Sequence, residues 1–100
     1  MSEMDKLEAY LKEKGFNYEH IVRPEEKEDG YILQTERNMI VVNDENGEYL
    51  WDAICHYGSY GYEQGLLEIY GTLVNEEKDG DSVKGWLTAE DVIKRIEEQN

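Results

Sequence analysis

The chain has little of what disulfide-rich, metal-binding or membrane proteins depend on. Its 100 residues include one cysteine, one proline and two histidines. The single Cys55 excludes an internal disulfide framework and predicts a reducing, cytoplasmic location. Two histidines without spaced cysteine partners argue against a zinc site. The N-terminus is acidic rather than basic and apolar, and no apolar run approaches the roughly 20 residues of a membrane span, so neither a signal peptide nor a membrane is expected.

Basic residues are also scarce, because 10 lysines and arginines stand against 24 aspartates and glutamates, which gives a net charge of −14. Such a charge repels phosphate backbones, so direct nucleic-acid binding is not expected. It fits solubility alone, a binder of basic proteins, or a protein that imitates nucleic acid in front of an enzyme. Eight tyrosines, two tryptophans and periodic apolar clusters predict a folded chain, with one domain over residues 1–100.

The apolar pattern predicts an α+β fold, in which an antiparallel sheet of three to five strands carries the N- and C-terminal helices on one face. Residues 2–14 are typical of a helix that begins at Ser2 and ends at Gly15. Residues 16–22 are expected to form an edge strand. The acidic residues 25–30 are expected to form a solvated loop, and residues 31–35 either a short strand or more of that loop.

The clearest pattern is a hairpin over about residues 39–56. It turns at Asn46-Gly47, a dipeptide that suits a two-residue type I′ turn. This register places Val42 opposite Trp51 on an apolar core face. A turn longer by one residue would invert both faces of the hairpin.

The second half continues with a strand at residues 66–70 and an acidic, glycine-broken loop at residues 75–85. Thr88 begins the last helix, with Asp91 at the third helical position, and the helix is expected to fray near Asn100.

The segment from Tyr57 to Gly65 is rich in tyrosine, glycine and serine. Tyrosine offers a large, stiff contact surface, while glycine and serine let the backbone adapt to a partner. We therefore predict a recognition loop in which Tyr57, Tyr60 and Tyr62 are contact anchors, beside Glu63. The alternative is that these rings close the end of the sheet as core aromatics, and their exposure distinguishes the two.

Two acidic segments are predicted to steer association with a basic partner. Their residues are Glu25, Glu26, Glu28 and Asp29 in the first, and Glu76, Glu77, Asp79 and Asp81 in the second. Asp79 and Asp81 could also bind a divalent ion loosely, although their spacing does not match an EF-hand. No resident metal and no cofactor are expected.

No catalytic constellation is evident, so the chain is not expected to be an enzyme. Adjacent Cys55 and His56 point to opposite faces of a strand. Asp52 and His56 share a face but lie about 13 Å apart along it. Paired carboxylates that folding brings together are the one arrangement a linear reading does not reveal.

Three segments, 41–47, 51–69 and 85–92, resemble parts of small proteins encoded by phages and prophages of gut Gram-positive bacteria. The most distinctive of these runs from Trp51-Asp52-Ala53 to Gly65-Leu66-Leu67-Glu68. The group has no established activity, so the resemblance transfers no catalytic residue. It implies a mobile-element setting, in which small acidic proteins often bind host proteins, including defence nucleases.

Two functions follow. The first is a non-enzymatic protein that binds a host protein with a basic surface, in its sharper form as an acidic nucleic-acid mimic that inhibits a defence or nucleic-acid enzyme. The alternative is a structural, homo-oligomeric phage or mobile-element component that associates through the mixed face of the hairpin at Leu50 and Ile54.

Overall fold

A five-stranded antiparallel sheet and a separate two-stranded ribbon form the framework of the chain. The computed structural model describes residues 1–99, so the predicted fraying near Asn100 lies outside it. The helices are α1 (Glu3–Glu13), α2 (Glu76–Asp79) and α3 (Ala89–Gln99). The α+β prediction is confirmed, with the first and last helices packed on the sheet. Within the described range, no helix is both long enough and apolar enough to cross a bilayer.

The seven strands follow the chain in a simple pattern. They are β1 (Asn17–Arg23), β2 (Glu26–Glu28), β3 (Tyr31–Gln34), β4 (Arg37–Asn43), β5 (Tyr49–Ile54), β6 (Leu67–Gly71) and β7 (Val83–Leu87). The main sheet has the order β1-β4-β5-β6-β7, which makes β1 an edge strand as predicted. Strands β2 and β3, which lie between β1 and β4 in the sequence, pair with each other in a separate two-stranded sheet. We call residues 24–36, which contain this ribbon, the arm.

Local signals define both long helices. The Ser2 side chain accepts a hydrogen bond from the Asp5 amide at 3.0 Å and caps α1. Thr88 and Asp91 form a reciprocal capping box at α3, with bonds of 2.9 and 3.1 Å. The two caps meet, because the Ala89 amide donates to Glu3 Oε1 at 2.8 Å and ties the start of α3 to that of α1.

The core lies between these helices and one face of the sheet. It is apolar and almost completely buried, and its members are Met4, Leu7, Leu11, Ile40, Val42, Trp51, Ala53, Leu67, Ile69, Leu73, Leu87, Ala89, Val92 and Ile96. We call the opposite face of the sheet, away from this core, the open face.

The central hairpin keeps its predicted register by an unpredicted route. Its loop has three residues rather than two, because the Asp44 amide bonds to the Glu48 carbonyl and Gly47 has a φ of 83°. This longer turn would invert the faces, but a bulge on the Leu50 side restores Val42 opposite Trp51. The prediction of a two-residue turn was wrong, and that of the core face is confirmed.

The same bulge changes the expected oligomerisation face. Leu50 packs against the core cluster instead of standing on the open face, and Ile54 is 7% exposed. The two side chains therefore do not form the exposed apolar surface that the sequence suggested.

Two segments predicted as loops contain regular structure. Residues 26–28 form strand β2, because Asp29 and Gly30 both have positive φ, the conformation of a type I′ turn. Residues 75–85 contain α2, which is capped by the Asn75 side chain, and the start of β7, the last strand of the main sheet. Both segments were predicted as loops because they are acidic, but acidic composition indicates solvent exposure and does not determine the backbone conformation.

Candidate functional site

Four exposed aromatic rings lie together at one end of the main sheet. They are Tyr57, Tyr60, Tyr62 and Trp86, with exposed fractions of 80%, 51%, 36% and 57%. We call them the aromatic surface. The three tyrosines are exposed to solvent, so they are not core aromatics that close the end of the sheet. A cleft with a volume of about 470 Å³ lies between the loop and Trp86.

The rings contact one another in pairs. Tyr60 and Trp86 stack with centroids 5.1 Å apart and planes inclined by 19°. Tyr57 and Tyr62 meet edge to face at 6.2 Å. Both are favourable aromatic geometries, so each ring limits the movement of its neighbour.

Hydrogen bonds from the sheet hold the loop in place. Buried Glu68, 3% exposed, accepts from the Tyr60 amide at 2.9 Å, and the Trp86 amide donates to the Tyr60 carbonyl at 3.3 Å. Ser59 Oγ donates to the His56 carbonyl at 2.7 Å and accepts from the His56 amide at 3.1 Å. The aromatic surface is thus fixed before any partner arrives, which lowers the entropic cost of binding.

Glu36 joins the loop to the base of the arm. Its Oε1 accepts from the Tyr57 amide at 2.6 Å. A hydrogen bond between the Tyr62 hydroxyl and this carboxylate raises the pKa of Tyr62. A groove of about 630 Å³ runs between the two, lined by Pro24 on the arm side and by Tyr62 and Glu63 on the loop side. The arm and the aromatic surface therefore border one continuous concavity.

Trp86 was missed at the sequence level. It is a non-glycine residue with a φ of 56°, a conformation that costs free energy and is concentrated at functional sites. The neighbouring Gly85 leaves room for Tyr60, because a Cβ at position 85 would lie 2.4 Å from Tyr60 Cβ. The only sequence signal was an aromatic residue directly after a glycine in an acidic segment.

The predicted acidic residues divide between the two ends of the sheet. Glu25, Glu26, Glu28 and Asp29 lie on the arm, which leaves the sheet where Arg23 pairs with Arg37, at the end that carries the aromatic surface. The second acidic group precedes β7 at Val83, which pairs with Tyr70, while Leu87 at the other end of β7 pairs with Leu67. About 13 Å of strand therefore separates this group from the aromatic surface.

Asp79 is not available for steering or for a loosely bound cation. Arg95 donates to both of its oxygens, at 2.8 and 2.9 Å, and the Asn75 amide donates to Oδ2 at 2.9 Å. Its side chain is 7% exposed. The divalent-ion hypothesis for Asp79 and Asp81 is therefore wrong, because the carboxylate that it needs is held by a guanidinium.

One histidine, His20, and the single cysteine, Cys55, lie in environments that favour a structural role. His20 lies between Glu8 Oε1 at 3.0 Å and Asn38 Oδ1 at 2.7 Å, and although burial opposes the charged ring, these acceptors raise the pKa of His20. Burial, assisted by the charge of Glu36, raises the pKa of the Cys55 thiol, which disfavours the thiolate. In residues 1–99, no group of three or more histidine, cysteine or carboxylate side chains is placed to hold a metal ion.

Comparisons with known proteins identify no relative. No protein-family model matches the chain, and neither the curated proteins nor the solved structures include a match.

Proposed function

We propose that the chain is a non-enzymatic binding protein of phage or prophage origin that engages a host protein. The observation that carries the proposal is the aromatic surface, four exposed rings held in place by the sheet. Rigid tyrosine and tryptophan side chains are typical anchors of protein interfaces. The resemblance to phage and prophage proteins supports the setting.

In the sharper form of the proposal, the partner presents a basic, nucleic-acid-binding groove and the chain acts as an acidic inhibitor. The arm places Glu25, Glu26, Glu28 and Asp29 at the same end as the aromatic surface. Their charges would draw a basic partner toward the rings and increase the association rate. Carboxylates at this end of the sheet then stand in for phosphates.

The structural homo-oligomer remains the alternative. Because Leu50 and Ile54 do not form an exposed apolar surface, self-association would use other exposed apolar side chains, such as Tyr31, Ile32 and Leu33 of the arm. Sedimentation separates the two functions, since a monomer at micromolar concentration fits the binder and a stable dimer or ring fits the assembly component.

We expect Tyr60→Ala and Trp86→Ala to weaken capture of the partner from host lysate and to raise the Kd by about 10- to 100-fold, the effect of removing interface anchors. The pull-down is repeated after nuclease treatment and in high salt, so that a partner bridged by nucleic acid is excluded. The Kd is then measured with the purified partner.

Tyr31→Ala is the matched control, because it removes a ring of the same kind that is 74% exposed but lies on the arm. It should leave the Kd within about threefold, as expected for residues outside a hot spot. Equal losses for all three variants, or none for Tyr60 and Trp86, would contradict the proposed anchors.

The two acidic groups should differ in their effect on association. We expect Glu26→Lys with Glu28→Lys on the arm to slow association by about 10-fold at low salt and to flatten its salt dependence. Glu76→Lys with Glu77→Lys makes the same change in net charge at the other end of the sheet and should have a smaller effect. Stopped-flow association rates at several salt concentrations measure both, and an unchanged rate for the arm variant removes the mimic hypothesis.

A further inference from the structure

The cleft between the recognition loop and Trp86 has mostly aromatic walls. All four rings of the aromatic surface line it, together with small residues of the loop such as Gly58 and Ser59. Its volume of about 470 Å³ falls within the usual range of ligand sites, roughly 300–1,000 Å³. We call it the aromatic cleft. Because its rings are exposed, a ligand in the cleft contacts them directly.

The stacked rings keep surface free for a ligand. The contact between Tyr60 and Trp86, with centroids 5.1 Å apart, covers one face of each ring, yet both side chains remain more than half exposed. The face of an aromatic ring carries negative partial charge, and tryptophan attracts cations most strongly of the aromatic side chains. The aromatic cleft therefore offers electron-rich ring faces.

The charged groups that line or hold the aromatic cleft are carboxylates. Glu63 is the one charged side chain among its lining residues in the described part of the chain. Two further carboxylates, Glu36 and Glu68, accept hydrogen bonds from amides of the recognition loop. Arg23 and Arg37 line the neighbouring groove and not this cleft. The local field is therefore negative and favours a cation.

The chemistry of the ligand follows from these two properties. An anion would be repelled both by the ring faces and by the carboxylates. A neutral apolar group would pack on the rings but would take Glu63 out of water without a partner. A cation is attracted by both. Of the two cationic side chains of proteins at neutral pH, the guanidinium is planar, more weakly hydrated than an ammonium, and able to stack on a ring while its N–H groups face a carboxylate.

We propose that the aromatic cleft binds an arginine side chain, with the guanidinium stacked on an exposed ring and its charge balanced by Glu63. The proposal rests on the proposed function, since it names the side chain that the basic partner presents to the aromatic surface. It also gives the four rings a task beyond apolar contact, because they select for a planar cation.

Nα-acetyl-arginine amide is the probe, because it carries the guanidinium on its natural side chain and has no other charge. We expect its titration into ¹⁵N-labelled protein at low ionic strength, where charges are least screened, to shift the Trp86 indole N–H resonance saturably. The indole of buried Trp51 is the internal reference and should not move.

Two matched probes separate the charge from the planar shape. Nα-acetyl-citrulline amide keeps the planar group but is neutral, and it should bind at least about 5-fold more weakly. Nα-acetyl-lysine amide has the charge without the plane, so it reports the general attraction of cations to a chain with a net charge of −14. It should bind at least about 3-fold more weakly than the arginine probe. Equal binding of either matched probe, or an unshifted Trp86 indole, would overturn the proposal.

Variants test the same site from the protein side. Glu63→Gln should weaken binding of the arginine probe by about 3- to 5-fold, the upper range for an exposed ion pair. Glu45→Gln makes the same change in net charge at an exposed position of the hairpin turn, outside the aromatic cleft, and should leave the Kd unchanged. Equal losses for the two variants would mean that the net charge attracts the probe, and the arginine site would be wrong.

The result is separable from that of the proposed function, which partner capture by Trp86→Ala tests. If no arginine probe binds but Trp86→Ala still loses the partner, the arginine site is wrong and the protein-binding surface stands. If the arginine probe binds selectively but Trp86→Ala captures the partner as the native protein does, the arginine site is supported and the anchors of the proposed function are contradicted.

Discussion

Replacing Gly85 with alanine is expected to displace Tyr60 and to dismantle the aromatic surface. The added Cβ would lie 2.4 Å from Tyr60 Cβ and 3.1 Å from the Tyr60 carbonyl oxygen, closer than packed atoms approach. Gly85 is buried under the ring, so the loop must move. We expect a cost of about 1 to 3 kcal/mol in the free energy of unfolding, the usual range for overpacking.

The spectroscopic consequence is specific to one of the two tryptophans. Trp86 loses its stacking partner, so its indole N–H resonance should shift, whereas that of buried Trp51 should stay in place. Urea unfolding and a ¹H–¹⁵N spectrum measure the stability and the shift on the same sample. Partner binding should fall with the Trp86 shift, because the rings would no longer be pre-organised.

Gly58→Ala is the control, since it adds the same methyl group within the recognition loop, where the added Cβ has no atom within 4 Å beyond its chain neighbours. Gly58 has a φ of 92°, so alanine there costs roughly 1 to 2 kcal/mol by backbone strain alone. It should leave the Trp86 resonance and the affinity unchanged. A Gly85→Ala protein with native stability and an unshifted Trp86 would show that Tyr60 does not pack over position 85.

The sequence was most informative where local chemistry determines the structure. Ser2 and Thr88 cap their helices as expected, because a capping residue acts within three positions of itself. The hairpin face was also predictable, since alternating apolar side chains have to reach the core whatever the turn does. The three-residue loop and the bulge at Leu50 could not be predicted. They shift the register by one residue each, in opposite directions, so together they leave the apolar pattern unchanged.

The candidate site depended more on tertiary contacts. The composition of the recognition loop predicted exposed tyrosines, but the Trp86 ring that stacks on Tyr60 comes from β7, whose first residues, 83–85, were predicted to belong to an acidic loop. The sequence also did not predict that the two acidic groups lie at opposite ends of the sheet. This separation follows from the antiparallel order of β6 and β7, which places Val83 and Leu87 at opposite ends of the sheet.

The second large effect is expected at the ion pair that holds α2 against α3. Asp79→Asn keeps the shape of the side chain but removes the charge that receives two hydrogen bonds from Arg95. Arg95 Nη1 also donates to the Leu73 carbonyl at 3.0 Å, so the preceding loop depends on the same guanidinium. We expect the free energy of unfolding to fall by about 1 to 3 kcal/mol, as for other lost hydrogen bonds to charged groups.

The loss should depend on pH in a direction that the ion pair determines. The hydrogen bonds from Arg95 lower the pKa of Asp79 to about 2, against 3.8 for an unperturbed aspartate. Because the folded pKa is the lower one, the carboxylate stabilises the fold fully above about pH 4 and loses this contribution as the pH falls toward about 2. The difference in stability between the native protein and Asp79→Asn should therefore be constant above about pH 5 and shrink below about pH 4.

Urea unfolding of both proteins from pH 2 to pH 7 measures this difference and cancels the titration of the other carboxylates. Asp81→Asn is the matched control, because the exposed Asp81 accepts only local bonds from Ser82 in the same turn. It should change stability by less than about 0.5 kcal/mol, as surface substitutions usually do. An equal loss for both variants, or a difference that does not shrink in acid, would mean that the Asp79–Arg95 pair does not fix α2. In that case Asp79 would again be free to meet a partner.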